Sequence, residues 1–514
     1  MIGAESLVRT LVACGVDVCF TNPGTSEMHF VGALDRVAEM RCVLALFEGV
    51  ATGAADGYGR MAGKPASTLL HLGPGLGNGL ANLHNASRAN TPVVNIVGEH
   101  ATYHRRFDPP LYSNIQAIAG AHPQWKTRVS ESAAQVAQDA AQAVADALSP
   151  PGRVSTLVLP ADTAWNPGGE VAAPVAPAAR QKVDARRVET AAKLLRQPGA
   201  ALLLNGPMLV GEALVLCGRI AAATGAELLA PTQIGRVERG AGRVNVDRIP
   251  YVIDHAVKRL ASIRSLVMLN ATQPISFFAY PGKPSTTTRE DCEIYPLAGV
   301  AEDGLDAVRQ LAEALGASKA REKTEALALP ELPRGPFTLP GIATVIAACL
   351  PEQAIVVDES VTSGRGLVPA TRSSHPHDWI TNTGGSIGFA MPVAIGAAVA
   401  CPGRKVLCLE GDGSGMYTLQ SLWTMAREQL DIVTVIFANR TYEILKGEYR
   451  NVGAGELGKR ALDMLEIGRP ELDWLSLSRA QGVAATRATN LEELASQLSA
   501  AFKARGPHLI EVVL

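Results

Sequence analysis

Short apolar runs alternate along most of the chain with longer stretches in which apolar residues recur every three or four positions, and Gly-, Asn- and Asp-rich turns separate the two. The runs read as buried strands and the longer stretches as helices. Strands are predicted at 43–47, 67–72 and 93–97 in the first third, 201–204 and 266–269 in the middle, and 354–357, 406–409 and 432–437 in the last third. Strands alternating with helices imply parallel sheets under helical cover. Two proline-rich stretches without apolar periodicity, NPGGEVAAPVAPAA at 166–179 and LPELPRGPFTLP at 329–340, interrupt the pattern. The prediction is an α/β chain of three doubly wound parallel-sheet domains spanning 1–165, 180–328 and 341–514.

Composition supports this class, because 49 glycines and only 5% aromatic residues suit helices packed closely on parallel sheets. A formal net charge of -2, with 19% charged residues, provides no field to gather nucleic acid or anionic lipid. The eight cysteines are scattered without a CxxC pair and read as reduced core residues of a cytoplasmic protein. The N-terminus carries Glu5 and helically spaced Leu7, Leu11 and Val12, unlike a signal peptide. The longest weakly polar stretch, 387–401, falls short of the ~20 residues a membrane span needs.

Parallel sheets bind ligands at the carboxyl ends of their strands, so the turns there are where chemistry is expected. The segment KVLCLEGDGSGMYTLQSLWTMAREQLDIVTVIFANRTYE at 405–443 reads as a strand to Glu410, a turn Gly411–Gly415, a helix at 418–429 and a strand at 431–437. Glycines at a strand-to-helix turn let backbone N–H groups approach a phosphate. Asp412 inside that turn would repel the phosphate unless a cation stood between them, and Mg²⁺ prefers such oxygen donors. Asn439 and Thr441 follow at the end of the next strand, where an amide oxygen and a backbone carbonyl could share the ion. A plain tight turn is the alternative, and the Asn one crossover later weighs against it.

This segment resembles the diphosphate-binding signature of thiamine diphosphate (ThDP) enzymes, in the branch with acetolactate synthase, pyruvate decarboxylase and benzoylformate decarboxylase. The likeness runs over nearly the whole chain. It implies a pyrimidine-binding domain first, a middle domain, and a diphosphate-binding domain last. It also implies Asp412 and Asn439 as side-chain Mg²⁺ ligands, Thr441 as a main-chain ligand, and Gly411, Gly413 and Ser414 around the diphosphate. LFEGVATGAADGYGR at 46–60 looks like the segment whose glutamate bonds the pyrimidine nitrogen N1′, which makes Glu48 the residue that activates the cofactor. Read from the residues alone, Glu48 ends an apolar run and opens a Gly- and Ala-rich helix. Its carboxyl is expected to be largely desolvated, which disfavours the charged form. A helix N-terminal Glu held by the dipole is the plainer account. In TNTGGSIGFAMPVAIGAA at 381–398, Gly385 resembles the carbonyl acceptor of the 4′-amino group and Ile387 the wedge beneath a V-shaped cofactor. The family takes Glu48 and Asp412 from different chains, which implies a homodimer or homotetramer with active sites between subunits.

Substrate contacts are expected at Thr25, in TNPGTSEMHF, and at His71, a strand end before a loop with four glycines. Both resemble benzoylformate decarboxylase, where the corresponding Ser and His orient and protonate substrate; a structural histidine is the plainer reading of His71. Two features depart from the relatives. The middle-domain segment TQPISFFAYPGKP at 272–284 offers Ala279 and no histidine, and His100 and His104 are not the adjacent pair of pyruvate decarboxylase. Protonation after decarboxylation is thus unassigned, and a slow protonation step would leave the carbanion free to attack a second carbonyl, which keeps carboligation open. His375, His377, Arg105 and Arg106 read chiefly as exposed polar positions. The turn in ALLLNGPMLVGEALVL at 201–216 leaves FAD or a CoA moiety open without predicting either.

The resemblance implies a ThDP- and Mg²⁺-dependent enzyme acting on 2-oxo acids, with decarboxylation as the first reading and acetolactate synthase-like carboligation as the alternative. A 2-hydroxyacyl-CoA lyase and a non-catalytic paralogue stand further off. A nicotinamide oxidoreductase is disfavoured by the acidic Gly411-Asp412-Gly413 turn, which is not a GxGxxG.

Overall fold

The computed structural model describes all 514 residues. Its first sheet contains β1 (Val18–Asn22), β2 (Arg41–Leu44), β3 (Ala66–Leu70), β4 (Val93–Glu99), β5 (Lys126–Val129) and β6 (Val154–Pro160). The spatial order is β2-β1-β3-β4-β6-β5, with every pairing parallel. Every residue of β3, β4 and β6 is buried, because helices cover both faces and leave no polar alternation.

Next along the chain come β7 (Ala200–Leu204), β8 (Glu227–Ala230), β9 (Val237–Arg239), β10 (Asp247–Arg248), β11 (Ser265–Leu269) and β12 (Glu293–Ala298). Five of these form a second parallel sheet, ordered β10-β8-β7-β11-β12. The sixth, β9, leaves it. The third sheet is built from β13 (Ile355–Glu359), β14 (His377–Thr381), β15 (Val406–Gly411), β16 (Ile432–Ala438), β17 (Ala484–Ala488) and β18 (His508–Val513). Its order is β17-β18-β16-β15-β13-β14-β9, and β9 runs antiparallel along the edge of β14. A strand from the middle of the sequence thus covers an edge of the last sheet, where open backbone groups would otherwise remain.

The first and third sheets share one apolar core through the helices Glu48–Ala62 and Ala390–Ala400. Their backbones approach too closely for side chains at the crossing. A Cβ on Gly57 would lie 2.1 Å from the Val393 carbonyl oxygen, and one on Gly396 1.9 Å from that of Ala54. Beside the crossing, Asp56 holds Arg60 in a buried ion pair at 2.6 Å. Arg60 also donates to the carbonyls of Thr381 at 2.8 Å and Gly235 at 3.3 Å, so one guanidinium joins all three thirds of the chain.

The helix predicted at 418–429 is shorter, Ser421–Arg427, because the turn itself closes one helical turn at Asp412–Gly415. The glycine loop expected after His71 is instead a helix, Leu72–Arg88. Its small residues are used in packing: a Cβ on Gly79 would meet Thr52 at 2.8 Å. All eight cysteines are free, and no helix is long and apolar enough to cross a membrane.

Candidate active site

Two groups of polar residues gather at strand ends. In the first sheet β1 runs into a 3-10 turn, Thr25–Glu27, and β3 is followed directly by His71, the residue before helix Leu72–Arg88. This brings Glu27 under His71, with Glu27 Oε2 2.8 Å from His71 Nδ1 and accepting the Gly24 N–H at 2.8 Å. A carboxylate only accepts, so it fixes the proton on Nδ1 and leaves Nε2 free. The imidazole is 25% exposed while Glu27 is fully enclosed. Burial pushes the Glu27 carboxyl up, against the opposing pull of His71 and the Gly24 amide. Thr25 is exposed at the head of the turn.

Glu48 opens its helix behind Phe47 and is buried. Its Oε2 accepts from Asn78 Nδ2 at 3.0 Å. Glu48 and His71 flank one glycine: a Cβ on Gly75 would lie 3.2 Å from Glu48 Oε1 and 3.5 Å from His71 Cβ.

The second group lies in the third sheet. β15 and β16 are parallel neighbours with Gly411 beside Phe437, so Asp412 and Asn439 emerge at adjacent strand tips. Asp412 is buried; its oxygens accept the N–H of Gly413 at 2.8 Å and of Arg440 at 2.6 Å, which ties the two tips together. Desolvation raises the Asp412 carboxyl while these amides hold it down. Asn439 Oδ1 accepts the Thr441 N–H at 3.1 Å. No cluster of three or more His, Cys, Asp or Glu side chains is available to a metal ion. A divalent ion here would rely on one carboxylate and neutral oxygens, and each oxygen keeps a lone pair beyond its amide bond. That donor set fits Mg²⁺ completed by diphosphate and water.

In the segment that follows β14 of the same sheet, Gly385 adopts φ +75°, a backbone conformation that favours glycine. Asn382 Oδ1 accepts the amides of Gly384 and Gly385 at 3.1 and 2.7 Å. Glu359, at the end of β13, accepts from Asn382 at 3.0 Å and from the amides of Phe389 and Ala390 at 2.7 and 3.1 Å. Ile387 projects from this scaffold 40% exposed. Glu359 pairs in register with Glu410 on β15, and both are fully enclosed. Burial pushes Glu359 up to about 7 and Glu410 well above the carboxylate range, reinforced for Glu410 by its neighbour's charge.

Two family models match the chain: the N-terminal TPP binding domain of thiamine pyrophosphate enzymes over residues 1–128 and the C-terminal TPP binding domain over 365–512. A Mycobacterium tuberculosis protein described as "Putative acetolactate synthase large subunit IlvX" is 50% identical, covering 100% of this chain and 99% of that protein. The chain belongs to the thiamine pyrophosphate enzyme family. Benzoylformate decarboxylase of Pseudomonas aeruginosa is 28% identical to this ThDP enzyme over 97% of the chain and 96% of its own length. The fold also matches the ThDP-dependent 4-hydroxybenzoylformate decarboxylase of Rhodococcus jostii RHA1, with TM-score 0.83 at 20% identity, over 99% and 98% of the two chains.

In this ThDP enzyme the residues expected from sequence fall into the two groups just described, and no hydrogen bond links Glu48 or His71 to Gly411–Thr441. The segment without histidine places aromatics instead: a Cβ on Gly385 would lie 2.6 Å from the Phe277 ring, which Phe278 flanks at 4.7 Å. His377 is not exposed, as its position in a polar loop suggests, but buried on β14. Its Nδ1 bonds the His375 carbonyl at 2.7 Å, and burial pushes it down to about 4. His377 begins β14 while Asn382 follows its other end, so it stands away from the site.

Sequence reasoning missed Glu27, Asn78, Asn82, Asn85, Glu359 and Asn382. The three asparagines carried a signal, since positions 78, 82 and 85 share one helical face. Asn82 donates to the carbonyls of Gly49 at 2.8 Å and Gly388 at 3.2 Å, and Asn85 to that of Ser386 at 2.9 Å. The Gly385–Gly388 turn is therefore held from the first sheet as well as the third.

Proposed function

We propose that this ThDP enzyme is Mg²⁺-dependent and decarboxylates a small 2-oxo acid. The observation that carries the reading is the His71–Glu27 pair, held at 2.8 Å and separated from Glu48 by one glycine. A carboxylate-oriented imidazole beside the cofactor's activating carboxyl serves proton traffic at a carbonyl group.

Asp412, Asn439 and the Thr441 carbonyl would hold the ion, and the amides around Gly411, Gly413 and Ser414 would hold the diphosphate. Glu48 would keep a proton at the pyrimidine nitrogen, the Gly385 carbonyl would accept from the amino group, and Ile387 would support the bent cofactor. When bound, ThDP supplies the nucleophilic carbon and the electron sink that a departing carboxylate requires. The Thr25 hydroxyl and His71 Nε2 would orient the substrate carboxylate and move a proton at the carbonyl oxygen. Phe277 and Phe278 would exclude water from one side. Because Glu48 and Asp412 lie in separate groups, and Leu46 and Ile387 near them are exposed, the active assembly is a homodimer or homotetramer with sites shared between subunits.

Acetolactate synthase-like carboligation is the second reading, favoured by the aromatic pair in place of a middle-domain histidine and by the 50% identical relative's name. The deciding experiment supplies a panel of 2-oxo acids with ThDP and Mg²⁺ and follows carbon dioxide release and product identity. Aldehyde products support decarboxylation; acetolactate from pyruvate supports the second reading; no turnover of any acid defeats both. Glu48→Gln should still quench protein fluorescence on ThDP addition yet lose roughly 10²- to 10⁴-fold in turnover.

A further inference from the structure

Between the second and third sheets lies a recess open to solvent. Its walls include the carboxyl ends of β8 and β10 at Ala230 and Arg248, and the β9–β14 edge at Arg239 and Trp379. Strand carboxyl ends are where open α/β sheets place ligands. No residue of the candidate active site lines it.

Two guanidiniums share this recess without an acidic partner. Arg239 is 7% exposed and Arg248 half-buried, and neither has a carboxylate oxygen within 4.0 Å. The acids nearby are engaged elsewhere. Glu325 pairs with Arg372 at 2.6 Å, Asp247 with Arg259 at 3.3 Å, and Glu238 with Arg243 at 2.8 Å. Asp358 accepts from Ser360, and its charge attracts both guanidiniums only from beyond 4.0 Å. Arg239 donates to the Val368 carbonyl through Nη2 and lies 5.3 Å over the Trp379 ring; its Nε and Nη1 have no acceptor in the protein. Arg248 directs Nε and Nη2 to the Thr232 carbonyl, which leaves Nη1 unengaged. Burial, then the neighbouring charges of Arg248 and Arg372, push Arg239 down to about 9.

Enclosing a guanidinium is costly unless an anion accompanies it, and a second one beside it adds repulsion. A bound anion removes both penalties. Arginine forks match the paired oxygens of a carboxylate or phosphate, and the apolar walls formed by Ile234, Val237 and Val368 would strengthen the attraction.

We propose that this recess is a binding site for a small oxyanion, gripped by Arg239 and Arg248 at the junction of the middle and last sheets. It is independent of the reading given above for the active site. The carboxylate of a metabolite and free phosphate present the same oxygens, and the test separates them.

The protein, saturated with ThDP and Mg²⁺ so that the diphosphate site is occupied, is titrated calorimetrically with acetate, succinate and inorganic phosphate, none of them a 2-oxo acid, at constant ionic strength. One-site saturable binding of at least one of them is expected, with a rise in Tm by mass action. Arg239→Met and Arg248→Met should each weaken it at least tenfold, and Arg248→Lys by less. Should Arg239→Met not fold, the half-buried Arg248 variants carry the comparison. Saturation by the carboxylates alone or by phosphate alone supports the site and names its class. No saturable binding of any of the three, or equal affinity in wild type and both Arg248 variants, overturns the proposal.

Discussion

Gly24 provides the sharpest probe of the catalytic reading, because it touches the imidazole and nothing that would hold the cofactor. A Cβ added there would lie 2.3 Å from His71 Nδ1, 2.4 Å from Cγ and 2.6 Å from Cε1. Ordinary contact needs about 3.5 Å, so Gly24→Ala must drive the ring back by about 1 Å. Its φ of -123° is open to alanine, so the backbone can stay in place. The 2.8 Å bond from Glu27 to His71 then stretches past hydrogen-bond range, and the imidazole loses its orientation. A displacement of about 1 Å at a catalytic group costs roughly 10²-fold in rate. The assay is kcat/KM for carbon dioxide release from the best 2-oxo acid, with ThDP affinity measured separately by fluorescence quenching. The expectation is a loss of about 10²-fold with ThDP affinity unchanged. A variant within threefold of wild type would remove His71 from the chemistry. One that loses ThDP instead would show that this turn holds the cofactor.

Two further predictions concern stability. Glu359 is raised by burial to about 7, so the folded state holds its proton more tightly than the unfolded chain does. The associated stability is fully present below the unfolded carboxylate range near pH 4.5 and is lost as pH rises through about 7, in all about 3 kcal/mol. Glu359→Gln should accordingly gain on wild type between pH 5 and pH 8 in urea midpoints, and a gap independent of pH would refute the assignment. At the helix crossing, Gly396→Ala gains up to about 1 kcal/mol in helix propensity but overpacks by up to about 3 kcal/mol or more, since its Cβ would lie 1.9 Å from the Ala54 oxygen. Its Tm should fall, while Gly447→Ala, in a helix with open space around it, should raise Tm slightly.

The alternation of strand and helix was legible because parallel strands buried on both faces read as unbroken apolar runs. Asp412 and Asn439 were legible because one crossover places successive strand tips side by side. Glu27 was not, since its partner is 44 positions away and only the closed first sheet brings β1 and β3 together. Glu359 and Glu410 look like ordinary strand-end acids until register sets them abreast. The course of β9 was hidden for another reason. Three residues carry too little pattern to announce a strand, and their pairing depends on an edge that exists only after the last sheet has formed. The glycines after His71 suggested a loop on local propensity, and tertiary packing against Thr52 overrode it.

That loaned strand has a bearing on how the molecule can be engineered. Proline-rich connectors invite excision of the intervening third as a cassette, or its exchange with a relative's. Cutting there would strip the final sheet of its border and Arg60 of its tie to Gly235, baring Trp379 and the main chain of β14. The three thirds should therefore melt in a single transition, and a chimaera would have to carry 237–239 along with its host sheet, not with the segment in which those residues are written.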